Sequence, residues 1–378
     1  MNVLVYALTI KSGGAIKVLE SFMDVVRSYE VNDFKFFFVL PISLNEKFDL
    51  SGLNIFILPK ANPLSLYRFS LKKRIDSIIE SNSIELVYAI GAPSYYKFKV
   101  VQVLRLTEPY VLHPNRFAYS KYDFLTYIVL KFKTSVKLYF TKHELYFETQ
   151  TEYAKAQILK RINSGAKIKI IRNTISNLLI RSEGVIDSRF HKEFSNNKFK
   201  ILCIGYPYPH KDFLGTLEVA RLLLICRKDF ILYYTIPNDH DILKKFEVKV
   251  VEYNLTENVI NLGEVSQSDL KYIYTNSDIV YQSSLLETAS ATLYEALYFN
   301  KLIVCVDLPY NVEICRDYAL YITPTDYAEN ANILREILEN YESFQIPLNH
   351  ENFITTPINN FQSLLDFFRE CIKNTKVD

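Results

Sequence analysis

No stretch of this 378-residue chain approaches the ~18 consecutive apolar residues of a membrane-spanning helix. The N-terminus, MNVLVYALTIKSGG, has no basic segment before its apolar run and no small-residue cleavage site, so no signal peptide is expected. Cysteine is sparse. Cys203, Cys226, Cys305, Cys315 and Cys371 are odd in number and widely spaced, with no CxxC pair. Reduced, structural thiols in a cytosolic protein are therefore expected. No complete G-x-G-x-x-G or Walker pattern occurs, which disfavours NAD and P-loop ATP chemistry. Repeats of solenoid period and low-complexity tracts are absent. No zinc finger, RRM or other nucleic-acid module is recognisable, so no nucleic-acid partner is expected.

What remains is a folded, two-domain composition. Hydrophobic residues make up 49% and charged residues 23%, which excludes a disordered chain. The length suits two domains of about 150–200 residues. The net charge of +2 hides an asymmetry. Residues 1–178 hold 25 Lys and Arg against 14 Asp and Glu; residues 179–378 hold 19 against 28. A basic half beside an acidic half points the N-terminal half toward an anionic partner, with an anionic membrane surface preferred.

Short apolar runs alternate with amphipathic stretches. In the first half, strands are predicted at Asn2–Leu8, Phe34–Leu40, Asn54–Leu58, Ile84–Ile90, Pro109–His113 and Lys167–Ile171. Helices are predicted at Gly14–Glu30, Leu64–Glu80, Tyr95–Thr107, Tyr119–Leu138 and Thr151–Ile162. Residues 179–198 are polar, without sustained period, and read as a linker. The alternation then restarts from Lys200–Gly205 through Tyr318–Ile322. The fold class is thus α/β, with two Rossmann-like domains facing across a cleft: an N-terminal domain over 1–178, the linker over 179–198 and a second domain over 199–357. A C-terminal helix and tail over 358–378 could pack back across the linker.

The stretch Ser284–Leu297, SLLETASATLYEAL, follows an apolar strand and carries Glu287 and Glu295. A helix N-terminus there would offer unpaired N–H groups to a phosphate, and the carboxylates could accept from sugar hydroxyls. Lys211, in CIGYPYPHKDF, lies just after the second domain's first strand, with Gly205 ending that strand. It could neutralise a pyrophosphate, while Asp212 caps the helix behind it. Gly13 and Gly14 follow the first strand of the chain, where glycine permits close approach of a phosphate or sugar. His113 closes the predicted strand Pro109–His113 and would face the cleft. The bland readings are a solvated helix, an exposed lysine, a tight turn and a loop histidine. Asp239, His240 and Asp241 could suggest a DxD metal site, but they read as a helix start whose aspartates cap N–H groups. In the aromatic stretch 119–147, Phe124, Ile128, Phe132 and Val136 recur at helical spacing beside Lys133 and Lys137. That stripe reads first as core-facing, and alternatively as resting on a membrane interface.

Together, Gly13-Gly14, His113, Gly205 with Lys211 six residues on, LGEVSQSDL (262–270), Glu287-x7-Glu295 and the loop 304–313 resemble the retaining GT-B glycosyltransferases of family 4. The resemblance implies transfer of a sugar from a nucleoside diphosphate sugar to a lipid-linked oligosaccharide, as in bacterial O-antigen or capsule assembly. It implies no metal or other cofactor and a cytoplasmic place, peripheral on the inner face of the plasma membrane. Its residue roles carry over as follows: His113, Glu287 and Lys211 at the reacting centre, with Lys211 also on the donor pyrophosphate. Gly13, Gly14, Gly205, Val265, Thr288, Ala289, Ser290, Thr292, Leu293 and Glu295 line the donor, Glu295 on the ribose. Two departures stand out. Tyr206 occupies a position where many members carry arginine, and Thr288-Ala289-Ser290 replaces the common Gly-Phe-Gly. A nucleotide-sugar epimerase or hydrolase of the same fold, or a non-catalytic assembly subunit, are the alternatives.

Overall fold

Runs such as LVYAI and LIVCV are apolar at every position, the pattern of parallel strands covered on both faces. Both are fully buried. The structure, a computed structural model, describes residues 1–10, 14–29, 32–91, 93–176, 179–180, 186–344 and 356–375. It divides into two units. Unit 1 comprises Met1–His113, Leu125–Arg172 and Thr355–Asp378; unit 2 comprises Pro114–Phe124 and Asn173–Ile354.

Unit 1 holds seven strands: β1 (Asn2–Tyr6), β2 (Lys35–Pro41), β3 (Asn54–Leu58), β4 (Leu86–Ile90), β5 (Val101–Arg105), β6 (Tyr146–Thr149) and β7 (Lys167–Ile170). They form one parallel sheet in the order β3-β2-β1-β4-β5-β6-β7. Alternate side chains feed two cores, as the strand period of two requires. Val3 and Val5 join Phe36, Phe38 and Tyr88 on one face. Leu4 and Tyr6 join Phe37, Val39 and Leu104 on the other.

Unit 2 holds β8 (Phe199–Cys203), β9 (Phe230–Tyr234), β10 (Val259–Asn261), β11 (Ile279–Gln282), β12 (Leu302–Val306) and β13 (Ala319–Ile322). Their parallel sheet runs β10-β9-β8-β11-β12-β13. In both sheets strand order reverses once, between β1 and β4 and between β8 and β11. Such a switch point opens a crevice at the carboxyl ends of the strands.

The structure corrects several expectations. Pro109–Leu112 is a helix, with Pro109 in its first turn, where the missing N–H costs nothing. The strand lies earlier, at β5, inside the stretch expected to be helical, and β6 was not foreseen. Short apolar runs such as PYVL do not by themselves separate helix from strand. The segment expected to link the domains carries helix Ser188–Phe194, and Phe190 and Phe194 are buried in the core of unit 2. The expected return of the C-terminal helix, by contrast, agrees with the structure: Pro357–Thr375 belongs to unit 1, where Phe361, Leu364, Leu365, Phe367 and Phe368 enter one of its cores. Finally, the stripe read first as core-facing points outward. On helix Phe124–Thr141, Phe124, Ile128 and Phe132 are exposed, as are Leu125 and Val129, and only Thr141 is buried. Val136, the last residue of the stripe, is half-buried, and the other half-buried residues include Tyr127, Leu130, Thr134 and Leu138 on the neighbouring helical face.

Candidate functional site

The switch point of unit 2 gathers the chemistry. Strands β8 and β11 pair through Ile201–Ile279 and Leu202–Val280, so the loops that follow them emerge side by side. Gly205 lies in the first loop at φ +149°, and a Cβ there would sit 3.4 Å from Lys211 Cε. The lysine's alkyl chain therefore lies over this glycine.

The second loop runs from Ser283 to Ser290, and the helix begins at Ala291. Gln282, at the end of β11, clamps both ends of it. Its amide nitrogen donates to Ser290 Oγ at 3.0 Å, and its carbonyl oxygen accepts from Ser284 N at 3.1 Å. Further bonds tie the two loops together. Leu285 N donates to His210 O at 2.7 Å, and Ser283 Oγ to Lys211 O at 2.6 Å. Thr216 Oγ1 donates to Ser283 Oγ at 2.9 Å, and Asn115 Nδ2 to Leu285 O at 2.8 Å. Each such bond contributes about 1 kcal/mol net, but leaving its buried partner unsatisfied costs more.

Lys211 and Glu287 meet directly as an ion pair, both side chains largely shielded from solvent. Ser284 Oγ donates to the same carboxylate oxygen at 2.8 Å. Burial pushes the Glu287 carboxyl up. The charges of Lys211 and His210 and the hydrogen bonds from Lys211 and Ser284 outweigh it, so its pKa ends below the usual range. His210 is buried beside the pair, stacked on Tyr208 with ring centroids 5.4 Å apart. Burial drives its pKa down to about 4, so it is neutral near pH 7.

The other sequence-predicted residues lie in the loop, helix and core of unit 2 or in unit 1. Thr288, Ser290 and Thr292 are buried in the loop and first helical turn, and the Ala289 carbonyl accepts from Asn173 Nδ2 at 3.2 Å. Glu295 lies further along helix Ala291–Tyr298 and accepts from Tyr274 OH at 2.7 Å. Leu293 is fully buried in the core and Val265 packs partly against it, so Leu293 offers a ligand only its backbone. Gly14 and His113 belong to unit 1. Gly14 opens helix Gly14–Ser28 with open space where a Cβ would stand. His113 closes the helix Pro109–Leu112, is buried, and meets Tyr153 edge-on at 5.2 Å. It therefore ends a helix and not the predicted strand. Gly13 lies outside the described residues.

The capping expectations are met only weakly. Asp212 stands at the N-cap of helix Phe213–Leu224 without a well-formed side-chain cap bond, although the Gly215 N–H lowers its pKa. Its backbone is left-handed, with φ +55° and ψ +36°, and its carboxylate is buried. It pairs instead with Lys121 Nζ at 2.8 Å and accepts from Tyr327 OH at 3.0 Å. Burial lifts its pKa, and both partners pull against that shift. At the start of helix Ile242–Glu252, His240 Nδ1 and not an aspartate accepts, from Ile242 N at 3.2 Å.

Lys121, Asn115, His210, Ser284 and Tyr327 were not recognised from sequence. Asn115 and Lys121 are some 90 residues before Lys211, and nothing in their spacing announces that Pro114–Phe124 joins unit 2. His210 was legible in principle, as the residue next to Lys211.

Residues 185–348 match the family described as Glycosyl transferases group 1. A curated relative is the O-antigen chain mannosyltransferase RfbU of Salmonella typhimurium, 24% identical over 223 residues. That match spans 57% of this chain and 56% of the relative's length. Among solved structures, a glycosyltransferase from Rickettsia africae superimposes with a TM-score of 0.71 at 16% identity, covering 99% of both chains. Anabaena HepE, solved with UDP and with UDP-glucose, gives 0.71 at 14% identity, covering 98% of this chain and 100% of that one. The fold of two parallel-sheet α/β domains is that of the GT-B glycosyltransferases.

Proposed function

We propose that the chain is a retaining glycosyltransferase that moves a sugar from a nucleoside diphosphate donor to a lipid-linked saccharide in bacterial O-antigen or capsule assembly. The observation that carries this reading is the Lys211–Glu287 pair, held at the switch point of unit 2 beside the start of helix Ala291–Tyr298. A diphosphate arriving there meets a cation and a set of N–H groups carrying partial positive charge. Lys211 then exchanges the carboxylate for phosphate oxygens and stabilises the charge that grows as the nucleoside diphosphate departs. Glu287, released from Lys211, accepts from hydroxyls of the donor sugar, and Glu295 from those of the ribose. No metal is required in this scheme, because Lys211 and the helix start carry the charge. His113 is assigned to the transferred sugar, and Gly14 to the donor phosphate and acceptor.

The acceptor side rests on unit 1. Among the described residues no helix is long and apolar enough to cross a membrane. Helix Phe124–Thr141 nevertheless exposes Leu125, Ile128, Val129 and Phe132 beside Lys131 and Lys133, with no acidic residue along its length. Apolar side chains flanked by lysines suit the interface of an anionic bilayer, and we assign the protein a peripheral place on the inner membrane face. The RfbU relationship supports the O-antigen setting.

Calorimetric titration with UDP, GDP, ADP and dTDP tests the donor reading. One nucleotide is expected to bind, and Glu295→Ala to weaken it by about tenfold or more through loss of a charged hydrogen-bond acceptor. No binding of any of them by the unaltered chain would overturn the reading.

A further inference from the structure

Asp212 combines features that a solvated loop residue would not have. It follows Lys211 directly, holds a left-handed backbone without being glycine, and buries its carboxylate. A backbone of that kind persists only where surrounding contacts over-determine it. Here they are supplied from two distant parts of the chain. Lys121 donates to Asp212 Oδ1 at 2.8 Å and to Tyr327 OH at 2.6 Å, while Tyr327 OH donates to Asp212 Oδ2 at 3.0 Å. The three groups close a triangle. Gly215 makes room for it, since a Cβ there would fall 2.5 Å from Asp212 Oδ2 and 2.6 Å from Tyr327 Cε1.

We propose that the Lys121–Asp212–Tyr327 triangle is a positioning latch for Lys211, setting the reach of its ammonium into the diphosphate site. The proposal rests on the donor reading above. Because Asp212 and Lys211 are consecutive, fixing the φ and ψ of Asp212 and the Lys211 carbonyl, held by Ser283 Oγ at 2.6 Å, fixes the direction in which the Lys211 side chain leaves the loop. Released, the loop would relax toward ordinary right-handed or extended backbone and carry the ammonium away from Glu287. Lys121 and Tyr327 hydrogen-bond to Asp212 and to each other, so their effect on the donor would pass through Asp212.

The test is a double-mutant cycle on the full chain, with UDP, GDP, ADP and dTDP as calorimetric probes at concentrations that keep weak binders in range. Lys121→Met, Asp212→Asn and Tyr327→Phe are each made alone and on Lys211→Ala. Tyr327→Phe removes a single hydroxyl and keeps the ring, so it guards against loss of the fold, and Lys121→Arg is the conservative rescue. Each latch variant is expected to weaken nucleotide binding about tenfold when Lys211 is present and by less than about twofold when it is absent. Lys121→Arg should recover most of the loss. Unchanged affinity in all three variants, or an equal loss with and without Lys211, would overturn the latch. Absence of any binding by the unaltered chain would overturn the donor reading and the latch with it, whereas normal binding by Tyr327→Phe and Lys121→Met overturns the latch alone.

Discussion

At the scale of single residues, the site is a set of buried polar groups whose ionisation is set by one another. His210 is the clearest case, because burial holds its pKa near 4 against a usual value of 6.5. A folded-state pKa below the unfolded one means that the neutral form is favoured by folding. The associated stability is fully present above pH 6.5 and is lost as pH falls from there toward 4. The difference amounts to about 3 kcal/mol between those limits. Glu287 acts in the same direction, since its depressed pKa contributes stability above about 4.5 that is lost in more acidic solution. Denaturant melts of the native chain between pH 7 and pH 4 should therefore show falling stability, and His210→Gln should flatten the slope above pH 4.5. An unchanged slope in that variant would mean that His210 ionises normally in the folded protein.

At the scale of elements, helix Phe124–Thr141 shows how hydrophobic periodicity can mislead. Two apolar faces run along it, one through Tyr127, Leu130, Thr134 and Leu138 and one through Phe124, Ile128 and Phe132. The second has the stronger spacing and reads first as core, yet solvent receives it: Phe124 is 73% and Phe132 57% exposed. A helix apolar on most sides is explained by a second apolar phase, and the membrane surface supplies one. Co-sedimentation with vesicles tests this. The protein should bind vesicles rich in anionic phosphatidylglycerol more than tenfold better than zwitterionic ones, with loss of binding at high salt. Leu125→Glu/Phe132→Glu should abolish the preference while leaving nucleotide affinity intact, because exposed substitutions of this kind change stability by only about 0.5 kcal/mol. Equal binding by the variant would remove this helix from the membrane assignment.

Much of the rest was legible at this scale, for a physical reason. The alternation of unit 2 is legible because LIVCV and FILYY are short, wholly apolar and bounded by polar turns. Failures cluster where a run is too short to declare a period, as in Pro109–Leu112 and Tyr146–Thr149, or where a polar stretch hides two core residues, as at Phe190 and Phe194. The site divides along the same line. Lys211, Glu287 and Glu295 follow strands and could be placed by topology. Lys121 and Tyr327 could not, because their meeting with Asp212 depends on long-range packing and not on local pattern.

At the scale of the whole molecule, the two units repeat one topology, and in unit 2 the residues best suited to a diphosphate sit at its switch point. The chain also interleaves: Pro114–Phe124 joins unit 2 and the C-terminal helix joins unit 1, so neither unit is a continuous half of the sequence. The basic charge of the first 178 residues and the acidic charge of the remainder therefore mark ends of the chain more cleanly than they mark structural units.

The central claim is that Lys211 and its surroundings release a nucleoside diphosphate as a sugar leaves for an acceptor. The most direct measurement incubates the full chain with a panel of nucleoside diphosphate sugars and bacterial lipid extract, with mass spectrometry following both nucleotide and lipid. The account predicts nucleoside diphosphate and a glycosylated lipid in equal amounts from one donor, and at least a hundredfold lower rate for Lys211→Ala. Nucleotide release with no acceptor present at the same rate, or transfer that Lys211→Ala leaves unchanged, would contradict it.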